Sequence, residues 1–392
     1  MSSPLRLYLA LGLGLFLALG TCALVTPCEN FHQFVCNHAV ATGVADLIED
    51  VRRGFRTKLK KALTADDDPI LQVYDEVANY SRTELIDKVN KIHDGRLYDY
   101  YNLLFIKYMI EGDLIPRSHV AEYEVIFGKV KKRAIEMVQN AEWIPAKTKS
   151  DLLEELTTKR IIFGLPDHLW DLDYIKESIS KVQKRFFELR KDSPILSEAD
   201  PMNSFIKILG ATFNGSQDSF PVRLSDVCRH YNGTHAFGVS SNHIFMCPLI
   251  MYAPDEHFSL LKHEISYYMM SILLETVTNK TETLMNPEAI ECHAKRVCGS
   301  KHNWKHDLIV ESSRWLIGDM LLKENSNVTR RVDVGDQAYE FTEAQDYMIA
   351  LELRCCEPGS WADHENAHGA MEIFQRIFGC PGRQESKCHI FY

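Results

Sequence analysis

The chain has 392 residues, 45% of them hydrophobic and 25% charged, and carries a formal net charge of −10. These proportions belong to a globular protein of one large or two ordinary domains with a sizeable core. The acidic balance argues against a nucleic-acid partner, and short basic runs such as Lys129-Val130-Lys131-Lys132-Arg133 read as solvated helix faces.

At the N-terminus, Arg6 precedes an apolar run from Leu7 to Ala18, followed by the small residues Gly20, Thr21 and Ala23. Residues 1–23 therefore have the layout of a secretory signal peptide cleaved near Gly20 to Ala23. An uncleaved type II anchor is the alternative, because the apolar stretch to Val25 is just long enough to span a bilayer. Both topologies place the remainder outside the cytosol, either secreted or held at the plasma membrane.

Helical periodicity follows over Val44–Leu63, Pro69–Ile92, Leu97–Glu111 and Ser118–Asn140. Pro145 opens another helix, which the turn Gly164-Leu165-Pro166-Asp167 closes, and a further helix runs over Tyr174–Arg190. After Pro201 the character changes: the run from Pro221 to Pro248 is rich in Val, Phe and turn residues and reads as two or three short strands. Helices return over His257–Val277, Asp307–Leu322 and Thr342–Leu353. The expected fold is mainly α with a small β-sheet.

Of the 11 cysteines, Cys22 lies in the leader, which leaves an even set: Cys28, Cys36, Cys228, Cys247, Cys292, Cys298, Cys355, Cys356, Cys380 and Cys388. An even set behind a leader reads as a disulfide framework, and none of these cysteines has the C-x₂-C spacing of a metal site. Asn79, Asn214, Asn232, Asn279 and Asn327 each begin an N-x-S/T sequon, the signature of N-glycosylation in the secretory pathway.

The chemistry-bearing stretch is Leu260-Leu261-Lys262-His263-Glu264-Ile265-Ser266-Tyr267. It is one substitution short of H-E-x-x-H, in which two histidines on one helix face bind Zn²⁺ and the Glu activates the metal-bound water. An adjacent His-Glu pair is expected about once by chance in a chain of this length, and a second occurs at His364-Glu365. Context must therefore decide.

Three blocks supply that context. They are Pro27-Cys28-Glu29-Asn30-Phe31-His32-Gln33-Phe34-Val35-Cys36, then Trp143-Ile144-Pro145-Ala146-Lys147-Thr148-Lys149 with Lys159 and the Gly164–Asp167 turn, and finally Phe374, Phe378-Gly379-Cys380-Pro381 and Lys387-Cys388-His389-Ile390-Phe391-Tyr392. Together they resemble the neprilysin family of secreted and type II membrane zinc endopeptidases. The family's patterns are P-C-x-D-F-x-x-[FY]-x-C, W-M-x-x-x-T-K with G-Y-P-D, and F-x-x-x-F-x-C-P with C-x-x-W, in the same order along the chain. The resemblance implies a zincin-like (thermolysin-like) domain over 201–392 and a helical N-terminal region over 24–200, a reduced form of the family's lid. It also implies disulfides Cys28–Cys380, Cys36–Cys356 and Cys388 with Cys292 or Cys298; the pairing of Cys228, Cys247 and Cys355 stays open.

Carried over residue by residue, the resemblance makes His263 a zinc ligand, Glu264 the general base and Glu311 the third ligand. His235-Ala236-Phe237 corresponds to the segment that clamps substrate backbone. His364, beside Asp363, corresponds to the transition-state His. The departures bear on activity. Tyr267 stands where the second zinc His belongs, and a phenol ionises only at about pH 10. Trp315 replaces the Asp that orients the first zinc His, a kind of loss that typically costs about 10–100-fold. No Arg matches the one that binds substrate. His302 and His306 are the nearby imidazoles that a shifted geometry would need.

The expected function is that of a catalytically inactive peptidase homologue, zinc absent or weakly held, binding an extracellular peptide or protein through the former cleft. The alternative is an active zinc endopeptidase that cleaves extracellular peptides with His263, Glu311 and an unexpected third ligand.

Overall fold

The structure, a computed structural model, describes residues 26–36, 51, 53–55, 57–58, 68–78, 95–165, 167–191, 201–214, 237–239, 243–253, 255–285, 290, 304–324, 327–334, 337–353 and 372–381. Residues 1–23, expected from the sequence to be a signal peptide or anchor, lie outside them. Among the described residues no helix is long and apolar enough to cross a membrane. The protein is mainly helical with small sheets. Its contacts divide it into a discontinuous unit, residues 1–48 with 285–390, and an inserted unit, residues 49–284 with 391–392.

The discontinuous unit begins with α1, Phe31–Cys36. Asn30 caps it, its Oδ1 accepting the Gln33 N–H at 2.8 Å, which satisfies one of the orphan donors of the first turn.

The inserted unit opens with α2 (Pro69–Ala78), α3 (Gly95–Glu111), α4 (Arg117–Asn140) and α5 (Ala146–Thr158). Asp68 caps α2 through Oδ1, which accepts the N–H groups of Ile70 and Leu71 at 3.0 and 2.9 Å, while Pro69 occupies the first helical position. Its other oxygen accepts the Tyr100 hydroxyl at 2.5 Å and the Gln183 amide at 2.9 Å, so one buried carboxylate ties three helices together. On α4 the buried positions His119, Val120, Tyr123, Phe127, Val130, Ala134, Met137 and Val138 recur at helical spacing.

Strand β1 (Arg160–Phe163) follows directly, then α6 (Leu172–Lys191) and α7 (Pro201–Asn214). β2 (Phe237–Val239) and β3 (His243–Met246) complete a three-stranded sheet of order β1-β3-β2. β3 runs parallel to β1, with Arg160 opposite His243, and antiparallel to β2, with Phe237 opposite Met246. The sheet therefore joins strands from either side of residue 200. Gly164 ends β1 at φ +68°, the left-handed region a glycine enters freely, and its N–H donates to the Met246 carbonyl at 2.9 Å. The unit continues through α8 (Pro248–Met251) into α9 (Asp255–Thr281).

The discontinuous unit resumes with α10 (Trp304–Glu324), the hairpin strands β4 (Val328–Val334) and β5 (Gln337–Thr342), α11 (Glu343–Leu353) and α12 (Glu372–Phe378). Phe31 of α1 meets Phe374 and Phe378 of α12 at centroid distances of 4.7 and 5.2 Å. Phe34 meets Tyr339 and Phe341 of β5 at 5.9 and 6.4 Å. Gly379, at φ +66°, ends α12, and the Cys380 N–H reaches back to the Gln375 carbonyl at 2.9 Å, as in a Schellman cap. This turn presents Cys380 to Cys28, and the two are joined by a disulfide with Cα atoms 5.4 Å apart. The first and last of the sequence blocks thus form one aromatic, disulfide-closed cluster.

Candidate functional site

Helix α9 carries His263 and Glu264 and is apolar on nearly every side. Leu261, Ile265, Met269, Met270, Ile272, Leu273, Leu274 and Val277 are all buried, the character of a helix enclosed by its neighbours rather than lying on a surface. It packs against α4 and α5. Lys262 pairs with Glu122 of α4 at 2.8 Å. Close by, His119 stacks on Phe258 with centroids 3.7 Å apart, and Tyr123 lies 5.4 Å from Phe258 and 6.0 Å from Phe163. The Tyr123 hydroxyl donates to the Met251 carbonyl at 3.2 Å.

His263, Glu264 and Tyr267 are brought onto consecutive turns of this helix and all are buried, at 3%, 6% and 9% exposure. The Tyr268 hydroxyl donates to Glu264 Oε1 at 3.3 Å, and the Tyr267 ring meets that of Tyr268 edge-on at 5.6 Å. Burial pushes the Tyr123 phenol far above its ordinary range, and the charges of Glu264 and Glu122 push it further. Tyr123 is therefore a neutral hydrogen-bond donor at any physiological pH. Glu264 sits among phenols and apolar side chains, in a place suited to packing as much as to proton transfer.

Glu311 and Trp315 lie one turn apart on α10, in the discontinuous unit. Glu311 is buried at 8% exposure and Trp315 is half-buried. His306 is exposed and, five residues before Glu311, projects about 140° around the helix from it, so it does not share that residue's face. Phe237 opens the edge strand β2. His235, Ala236, His302 and His364 lie outside the described residues. Of the sequon asparagines, Asn279 and Asn327 are exposed and Asn214 ends α7, while Asn79 and Asn232 lie outside the described residues.

The cysteines extend the disulfide framework. Cys36 and Cys247 are each disulfide-bonded, in addition to Cys28–Cys380. Cys228, Cys292, Cys298, Cys355, Cys356 and Cys388 lie outside the described residues.

One grouping has no counterpart in the motif reading. His32 Nδ1 lies 2.8 Å from Glu352 Oε1 and 3.5 Å from Cys36 Sγ. The spacing of His32 and Cys36, one turn apart on a helix, is a signal the sequence did contain. Glu352, 320 residues away, carries none. No protein-family model matches this chain, and no curated protein matches it.

Proposed function

We propose that this protein is a neprilysin-like peptidase homologue with a zincin-like fold, secreted or membrane-anchored, that has lost hydrolytic activity and binds an extracellular peptide or protein through the former active-site cleft. In this reading residues 201–392 correspond to the peptidase domain and 24–200 to a reduced helical lid. The observation that carries it is Tyr267, a buried phenol one turn from His263 where a second imidazole would have to stand.

The donor set on α9 does not fit a catalytic zinc. Such a site takes three protein ligands and a water, and this helix offers one imidazole, a carboxylate engaged by the Tyr268 hydroxyl, and a phenol packed against another ring. Even with Glu311 as the implied further ligand, the set stays one short. Without a metal-activated water, Glu264 has nothing to deprotonate, and no hydrolytic step follows. The buried apolar shell of α9 supports retention of the fold after loss of the chemistry.

Zinc content of the purified, unreduced protein, measured by mass spectrometry beside His263→Ala, tests the reading. Well under one zinc per chain in both is the expected result. Near one zinc per chain, lost in His263→Ala, would overturn it in favour of an active endopeptidase.

A further inference from the structure

We infer that His32, Cys36 and Glu352 form a redox-gated metal site, closed while Cys36 is in its disulfide and taking a thiophilic divalent cation of the Zn²⁺ class once that disulfide is reduced. The inference concerns the discontinuous unit and is independent of the reading of α9.

The geometry carries it. His32 and Cys36 share one face of α1, and Glu352 reaches them from α11 with its side chain only 3% exposed. The donor atoms of the three all lie within 4.8 Å of one another. With Zn–N and Zn–S bonds of about 2.0–2.1 and 2.3 Å, nitrogen and sulfur ligands of one tetrahedral zinc stand about 3.5 Å apart. Cys36 Sγ and His32 Nδ1 are already at 3.5 Å. The His32–Glu352 contact of 2.8 Å is a hydrogen bond and has to open by about 0.5 Å for the carboxylate and imidazole to become co-ligands. That is a small side-chain adjustment.

The gate is the oxidation state of Cys36. A disulfide sulfur carries no thiolate charge, and the thiolate is the form that binds metal. Two equivalents of a small-molecule thiol supply two electrons and two protons and leave as their own disulfide, and the Cys36 disulfide becomes two thiols. Metal binding then releases the Cys36 proton to solvent, while His32 ligates as the neutral imidazole through Nδ1 with its ring proton on Nε2. A thiolate beside the buried Glu352 carboxylate would be two anions in a partly desolvated place, a costly arrangement that a dication relieves. Sulfur and imidazole together select zinc over magnesium or calcium. Three protein ligands leave the fourth position to water.

The test uses the full chain, a phosphine reductant and Co²⁺ as a spectroscopic probe. Reduced protein should gain a sulfur-to-cobalt charge-transfer band that Zn²⁺ abolishes, and oxidised protein should show none. His32→Ala and Glu352→Gln should each weaken Co²⁺ binding at least about tenfold, as expected for loss of a ligand, with folding checked by near-UV circular dichroism. Because those variants remove a packing contact too, a second readout uses the wild-type protein alone. Zn²⁺ should slow alkylation of Cys36, mapped by peptide mass spectrometry, at least tenfold. Equal alkylation of Cys36 with and without Zn²⁺, or a cobalt band unchanged in His32→Ala, would overturn the proposal.

Discussion

Helix α1 and helix α9 both carry residues on which the proposed reading rests, and they differ in what those residues engage. On α1 and the segments it meets, the described residues of the two terminal blocks pack on one another and on β5: Phe31 and Phe34 against Phe374, Phe378, Tyr339 and Phe341, and Cys28 against Cys380. On α9 the apolar shell is also buried, and the proposed reading places the Tyr267 phenol where a second imidazole would stand. Emptying a buried Phe costs about 3–5 kcal/mol out of a typical 5–15. A phenol in place of an imidazole on α9 leaves no comparable void, because the phenol is the larger ring. Stability therefore depends directly on the ring packing of the first region, whereas the donor chemistry proposed for the second adds little to it.

The largest expected effect breaks the first region. Cys28→Ser with Cys380→Ser opens a loop of sequence separation 352, and the chain-entropy model assigns about 6 kcal/mol to such a closure. Chemical denaturation should show a loss of that order. A loss under about 1 kcal/mol would mean that the aromatic cluster alone holds α1 to the C-terminal segment. Next in size is Phe31→Ala, which empties a position at 4% exposure between two rings of α12 and should cost about 3–4 kcal/mol by the same measurement.

The contrast between the regions also explains what was legible beforehand. The helices at 95–111, 117–140, 172–191, 255–281, 304–324 and 343–353 agree with the sequence reading to within a few residues at each end, because each has enough apolar residues for its length to exclude a strand. The sequence reading places no helix at α7, although Phe205, Ile208, Leu209 and Thr212 are buried at helical spacing; Gly210 and the flanking Phe and Ile residues mask the pattern. The β4–β5 hairpin was missed although Gly335-Asp336 separates two alternating runs, a recognised hairpin signal. β1 is four residues long and becomes a strand only through β3, which lies 80 residues on in the chain. At the sites, the adjacency of His263, Glu264 and Tyr267 follows from helix geometry alone. The meeting of His32 with Glu352 does not, because only the folded chain brings α11 to α1.

The proposed reading of α9 is tested by supplying the second imidazole it calls for. Tyr267→His places a second imidazole one turn from His263 and should raise zinc affinity at least about tenfold over wild type, by isothermal titration of the unreduced protein. Its stability should fall by about 1–3 kcal/mol, because the smaller, more polar imidazole leaves space beside Tyr268 at a buried position. If affinity did not change, the helix would not be a zinc-protease helix, and the proposed origin of the fold would fall with it.

The smallest expected effect concerns the far end of α9. Burial alone would raise the Glu155 carboxyl, but the hydrogen bond and charge of Lys280 on α9, with those of Lys159, outweigh it and hold Glu155 below its ordinary range. The stability this contributes is therefore fully present above the ordinary carboxylate range and is lost as pH falls through the lowered folded-state value. Lys280 and Glu155 are both partly exposed, so solvent screening keeps the contribution within about 0–1 kcal/mol. Glu155→Gln should be slightly less stable than wild type at neutral pH, and the two should converge as the solution is acidified below the carboxylate range. A gap that persisted unchanged in acid would assign the effect to packing between α5 and α9 instead of to charge, leaving Lys262–Glu122 as the ion pair that ties α9 to its neighbour.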